Sequence, residues 1–177
     1  MKLFATSDIH GDQVIMEKLR GYLSKNAYDK VIFCGDLLSA PESYSFDEYV
    51  QKQAEEYMLF REYIKTLDGE VLYILGNNDW VDGDTDDENY LSRQRDVFIP
   101  FEYVHLTSAQ SNREANENKI HYELNKLKVG MSTIIVAHDV PYGCLDKTYF
   151  GKMVGSQRIR DFIEEEKTTN LVGRAYP

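Results

Sequence analysis

Leu3-Phe4-Ala5-Thr6-Ser7-Asp8-Ile9-His10, followed by Gly11, is the stretch on which the fold turns. An apolar run that ends in a carboxylate and an imidazole reads as a buried strand with polar groups at its C-terminal end. Residues 3–7 are apolar enough throughout to suit a central strand of a parallel sheet. Gly11-Asp12 then opens a helix whose buried face is expected at Ile15, Leu19 and Tyr22, spaced four and three apart. Val31-Ile32-Phe33-Cys34 repeats the pattern as a second short strand and ends in Gly35-Asp36. A long helix is expected from Phe46 to Leu67, with Tyr57, Phe60, Ile64 and Leu67 along one side. Asp47 and Glu48 suit its N-terminal dipole, and Asp68-Gly69 stops it. Val71-Leu72-Tyr73-Ile74-Leu75 is the third strand and ends in Gly76-Asn77-Asn78-Asp79. The order β-α-β-α-β argues a parallel sheet covered by helices. Ligands of such sheets gather at the carboxyl ends of the strands, where all these polar tips lie.

Beyond this unit the pattern changes. Residues 82–88 carry Asp82, Asp84, Asp86, Asp87 and Glu88 and read as a solvated acidic loop. Gly83 is misplaced for a calcium-binding loop, and no glutamate stands at the twelfth position. Residues 101–106 look like a strand. Ile120-His121-Tyr122-Glu123-Leu124 alternates and reads as a half-exposed one. Ile134-Ile135-Val136-Ala137 is a buried strand ending in His138-Asp139. Ser156 can cap a helix with Ile159, Phe162 and Ile163 on its core face, and one more strand starts at residues 170–172. A second, more antiparallel sheet is the expectation for this half.

Bulk properties narrow the function. The 177 residues, 42% hydrophobic and 28% charged, fit one soluble globular domain. A net charge of −10 disfavours tracking along a nucleic-acid backbone, which needs a basic stripe. It leaves room for a small phosphorylated substrate if a metal supplies local positive charge. Two cysteines without framework spacing, no leader and no apolar run of about 18 residues point to the cytoplasm and away from the membrane.

Four strand ends therefore carry Asp8 with His10, Asp36, Asn77 and His138. Such Asp/His/Asn sets suit zinc, manganese or iron. A carboxylate can bridge two cations, and two cations roughly 3.5–4 Å apart can hold a shared hydroxide and clamp both ends of an in-line displacement at phosphorus. The reaction such a site suits is hydrolysis of a phosphoester.

The order D-x-H, G-D, G-N-x-D, then a histidine after an apolar strand, resembles the calcineurin-like metallophosphoesterase superfamily. Pro141-Tyr142-Gly143, Val154-Gly155-Ser156 and the Phe162-Ile163-Glu164-Glu165 helix look like its small prokaryotic phosphoesterases. The resemblance covers nearly the whole chain. It implies an α/β fold of two stacked β-sheets flanked by helices, a four-layer αββα sandwich in one domain over residues 1–177. It also implies two divalent metal ions (manganese, iron, zinc or nickel). Asp8 and His10 would bind the first metal, Asp36 would bridge both, and Asn77 and His138 would bind the second. The protein-phosphatase branch is disfavoured, because Leu37-Leu38-Ser39 follows Gly35-Asp36 where that branch has Asp-Arg-Gly.

The chain departs from the pattern at three places. Asn78 stands where many members have a histidine credited with helping to protonate the leaving group. An amide cannot serve as a general acid, although it can hydrogen-bond a phosphate oxygen. The closing motif G-H-x-H reads Gly173-Arg174-Ala175-Tyr176. Each metal would lose a ligand, and Arg174 would repel the second. The sequence stops at Pro177, where members usually add strands. The expectation is a domain cut short at its C-terminus, with an incomplete second sheet whose edge a homo-oligomer or another partner would cover. Two readings follow: a metal-dependent phosphodiesterase or phosphatase, and a catalytically weakened phosphoesterase fold used as a binding scaffold. Elsewhere, His105 and His121 read as structural and Cys34 as packing. Trp80 borders the site or sits in the core, and Tyr142, Tyr149 and Phe150 are candidates to line a substrate pocket.

Overall fold

The computed structural model describes residues 1–39, 45–82, 87–91, 116–127, 129, 133–166 and 171–173. The first sheet contains β1 (Leu3–Thr6), β2 (Lys30–Cys34) and β3 (Glu70–Ile74), joined through α1 (Gln13–Leu23) and α2 (Phe46–Ile64). All pairing is parallel, with Leu3 opposite Lys30 and Phe33 opposite Tyr73. In the second half, α3 (Glu117–Leu124), β4 (Ile135–Val136), α4 (Gln157–Glu166) and β5 (Leu171–Val172) follow.

The two-residue period of a strand explains how the layers stack. Val31, Phe33, Val71 and Tyr73 face α1 and α2, where they pack with Met16, Tyr57, Phe60 and Ile64. The alternate residues Ile32, Cys34, Leu72 and Ile74 face the other way and meet Val136, with Ile134 and Val172 alongside. Ile135 and Ala137 point out of the second sheet onto Ile120 and Leu124 of α3 and Ile159 and Phe162 of α4. The result is helices, sheet, sheet, helices. The four-layer αββα sandwich is therefore present, built on three apolar interfaces.

Local chemistry sets the helix starts. The Asp12 carboxylate accepts from the Val14 and Ile15 amides at 2.8 and 3.0 Å. Ser45 and Glu48 form a reciprocal capping box at α2. Ser156 Oγ accepts from Ile159 N at 3.2 Å, as expected for α4.

Several expectations are corrected. Residues 120–124 are helical. Asn116 Oδ1 accepts from Lys119 N at 2.9 Å, and Ile120 and Leu124 are buried four residues apart while Tyr122 is exposed. The second sheet is parallel, with Ile135 opposite Leu171. Among the described residues β2 is the central strand of the first sheet and β1 lies at its edge. The buried face of α1 is rotated by one residue, to Met16 and Leu23 with Leu19 partly covered. The helix meets α2 through Tyr63, whose Oη donates to the Met16 carbonyl at 2.9 Å. Tyr22 instead lies on Phe4 and Tyr28 near the surface. Asp87 is buried, not solvated. Tyr73 Oη donates to it at 2.9 Å, and Arg61 Nε lies 2.8 Å away. The expected strand at 101–106, with His105, lies outside the described residues.

Candidate metal centre

The carboxyl ends of β1, β2, β3 and β4 meet at one edge of the sandwich. Parallel pairing continues past β1, because Asp8 N donates to Gly35 O, His10 N to Asp36 O and Gly11 N to Leu37 O at 2.8–3.0 Å. The turns are tight enough to place Asp8, His10 and Asp36 in the left-handed region, at φ of 56°, 49° and 52°. Each such position costs a non-glycine residue on the order of 1–3 kcal/mol, and strain of this kind concentrates at functional sites. Two glycines let the strand ends approach. A Cβ on Gly35 would lie 2.7 Å from His138 Nδ1, and one on Gly76 would lie 2.3 Å from both Asp36 N and Asp36 Oδ1.

The polar atoms converge on Asp36. Its Oδ2 lies 3.8 Å from His10 Nε2 and 3.4 Å from His138 Nε2. His10 Nε2 is also 3.8 Å from Asp8 Oδ1, and His138 Nε2 is 3.0 Å from Asn77 Oδ1. One ligand-type atom from each of Asp8, Asp36 and His138 lies within 4.8 Å of the other two. All five candidate ligands are thus gathered, in two groups that share Asp36. Arg174 and Tyr176 lie outside the described residues.

The donor set fits a cation. A carbonyl only accepts, so His138 Nδ1 must donate to Cys34 O at 2.7 Å. With Nε2 unprotonated, its lone pair faces two further oxygens, Asp36 Oδ2 and Asn77 Oδ1, an arrangement that a proton or a metal ion between them would satisfy. Burial lowers the His138 pKa, but the Asp36 carboxylate outweighs it and the net direction is upward. The Asp8 carboxylate raises His10 against the opposing cost of burial, with Asp36 adding to the rise. Burial also opposes ionisation of Asp36. The hydrogen bond and charge of His138, with donors from Asn78, override it and hold the carboxyl well below the usual range. Asn78 supplies two of those donors, its backbone N to Oδ1 at 2.9 Å and its Nδ2 to Oδ2 at 2.7 Å. Its side chain therefore lies against Asp36.

Further residues support the ligands, and of these only Asp79 stands in one of the motifs. Asp79 is fully buried and accepts from the amides of Leu37, Leu38 and Gly76 at 2.7–3.2 Å, tying the turn after β2 to the turn after β3. Burial, and then the charge of Asp36, raises its pKa against the pull of those amides. Glu56 on α2 holds Ser39 through N and Oγ at 2.7 and 2.8 Å. Gln53 and Tyr49 reach the same loops from α2. The available signal was a glutamine and a tyrosine continuing the buried Tyr57, Phe60, Ile64 stripe toward the helix N-terminus, since a buried polar residue is the informative kind.

Other candidates lie elsewhere. Trp80 N donates to Gln53 Oε1 at 2.6 Å, and the ring packs edge-on to Phe46. Cys34 is buried, and burial, with the charge of Asp8, pushes its thiol up to about 12, as suits a packing role. His121 is exposed on α3 against Asn125. Tyr149 and Phe150 are each 92% exposed and stack only on each other among the described residues, so they line no pocket there. No described helix is long and apolar enough to cross a membrane.

Comparison with known proteins bears on the fold and the family. One crystal structure superposes with a TM-score of 0.74 over 99% of this chain and 84% of its own, at 17% identity. The crystal structure of TT1561 of Thermus thermophilus gives 0.60 over 97% and 80%, at 14% identity. At these identities the likeness is one of fold. No curated protein matches. The sequence model of the calcineurin-like phosphoesterase superfamily domain matches residues 1–172, and the chain belongs to that superfamily.

Proposed function

We propose that the chain is a metal-dependent phosphoesterase that hydrolyses a small phosphorylated substrate, as a phosphodiesterase or a phosphatase. The observation that carries this reading is the sharing of Asp36 Oδ2 between two groups of donors, Asp8 with His10 on one side and Asn77 with His138 on the other. Asp8 and His10 would hold one divalent cation, Asn77 and His138 a second, and Asp36 both. Bound there, the cations supply positive charge for the phosphate oxygens and acidify a water for attack at phosphorus. The chain's own residues prepare the place. Asn78 keeps Asp36 ionised and oriented, Cys34 O turns His138 so that Nε2 faces inward, and Asp79 fixes the two turns that carry Asp36 and Asn77. In this reading Asn78 also faces the substrate, as a neutral amide that orients without donating a proton.

The competing reading is a binding scaffold. It rests on Arg174 and Tyr176, which occupy sequence positions where the resemblance expects histidines and which fall just after the matched span. One experiment separates the two readings: metal content and turnover of an aryl phosphodiester in millimolar manganese, for wild type and Asp36→Ala. The enzyme should bind metal and turn over, and Asp36→Ala should lose both. A wild-type chain that neither holds metal nor turns over would leave the scaffold.

A further inference from the structure

Gln53 is fully buried although it carries an uncharged amide with no chemistry of its own. Its Nε2 donates to Ser39 O at 2.7 Å and to Asn78 O at 2.8 Å, with Tyr49 Oη beside it at 3.0 Å. Its Oε1 accepts from Trp80 N at 2.6 Å. One side chain therefore ties the loop after β2 to the loop after β3. Tyr49, one helical turn earlier, donates from Oη to the same Asn78 carbonyl at 2.9 Å. On its opposite side Asn78 donates to both oxygens of Asp36, and Asn77, which precedes it, faces His138. A continuous line of hydrogen bonds thus runs from α2, through the Asn78 peptide, to the carboxylate that both groups of donors share.

We infer that Gln53, assisted by Tyr49, is a positioning residue for the metal centre: it sets the Asn77–Asn78 segment, and through it the direction of the Asp36 carboxylate. This role rests on the metallophosphoesterase reading above. Glutamine suits the task because its amide offers two N–H donors and an acceptor in one plane, matching two carbonyls and one amide N–H. Methionine has similar bulk and no N–H. Glutamate would turn a charged acceptor toward two carbonyl oxygens. Partners that orient ligands from one step behind typically change metal affinity 10- to 100-fold when removed.

The test measures manganese affinity and stoichiometry, together with urea unfolding, for wild type, Gln53→Met, Tyr49→Phe and Tyr57→Phe. Tyr57 lies one turn beyond Gln53 on the same helix and bonds Tyr73 Oη at 2.7 Å, not Ser39 or Asn78, so Tyr57→Phe controls for lost stability. Gln53→Met should bind manganese about 10- to 100-fold more weakly. Tyr49→Phe should weaken binding several-fold, and Tyr57→Phe should bind as wild type does. In metal-free protein the Asn78 amide should exchange its hydrogen faster in Gln53→Met than in Tyr57→Phe, an effect that does not require metal. If wild type binds metal and both Gln53→Met and Tyr49→Phe bind it equally well, the positioning role is overturned and the enzyme reading stands. If wild type binds none, the enzyme reading falls and takes this role with it. Should Gln53→Met fail to fold, Tyr49→Phe decides: undiminished affinity overturns the role, and weakened affinity supports it.

Discussion

The His138 ring is held between two demands. Its Nδ1 is committed to Cys34 O, so whatever cation lies between Nε2 and Asp36 must replace a proton or be replaced by one. His138 is raised above its ordinary value of about 6.5, and Asp36 is lowered below about 3.9. The raised imidazole stabilises the metal-free fold fully below pH ~6.5 and loses that contribution as pH climbs through its folded value. The lowered carboxyl contributes fully above pH ~3.9 and loses that contribution as pH falls through its folded value. Their joint contribution is therefore complete only between about pH 4 and 6.5. Metal works against the same proton. Manganese affinity should climb with pH while His138 is protonated, by up to about tenfold per unit for each proton displaced, and level off above the raised value. His10, raised in the same direction, adds to the slope. Calorimetric titrations at several pH values, in buffers of different ionisation enthalpy, would report the released proton. A flat affinity with no proton release would show that His138 Nε2 does not face the metal. These residues were legible because each follows an apolar run, so a strand end could be assigned without knowing the sheet. Asp79 was legible as a motif position but not in its role of tying two turns, and Gln53 was not legible at all, because the Leu37, Leu38 and Ser39 backbone groups they bind are remote in sequence.

At the scale of elements, the turns at the strand ends carry the candidate ligands, and glycine is part of their construction. Gly76 follows β3 where Asp36 leaves β2, and an added methyl would meet a backbone nitrogen and a carboxylate oxygen at 2.3 Å. Neither atom is the free end of a flexible chain, so a strand end would have to move. Gly76→Ala should cost about 3 kcal/mol, the upper end of the range for overpacking, and should abolish metal binding in the protein that still folds. Urea unfolding and a manganese titration on the same sample check both, and wild-type affinity in a stable Gly76→Ala would contradict the close approach. Elements were legible where one signal dominated. The first sheet followed from three apolar runs separated by helical spacing, and α4 from Ser156 with Ile159 and Phe162. Residues 120–124 read as a strand because Ile120, Tyr122 and Leu124 satisfy a period of two, while Ile120 and Leu124 also satisfy the helical spacing of four. The exposure of Tyr122 depends on which face meets α4, whereas the Asn116 cap is a local signal for the helix. The parallel pairing of β4 with β5 was hidden for a related reason, since two-residue strands carry almost no periodic signal.

For the molecule as a whole, the decisive interface is the one between the two sheets, because the candidate ligands come from both. Asp8, His10, Asp36 and Asn77 leave the first sheet, and His138 leaves the second. The layer of Ile32, Cys34, Leu72, Ile74 and Val136 behind them sets how far His138 stands from Asp36. Ile74 is fully buried in that layer at the end of β3, two residues before Gly76. Ile64 is equally apolar and nearly as buried, but it belongs to the helix-side core at the end of α2 away from the strand tips. Ile74→Ala and Ile64→Ala delete the same atoms, and each should destabilise the fold by about 2–5 kcal/mol, depending on how far the cavity collapses. Their effects on the site should differ. Relaxation around Ile74→Ala shifts one sheet against the other and moves His138 relative to Asp36, so manganese affinity should fall by at least several-fold. Relaxation around Ile64→Ala moves α2 against the first sheet at the far end, and affinity should stay near wild type. Urea unfolding establishes that the two variants lose comparable stability, and metal titration well below their unfolding transitions gives the comparison. Equal affinities in the two variants would mean that the strand-end turns alone hold the ligands in place, and that the packing between the sheets contributes stability without alignment.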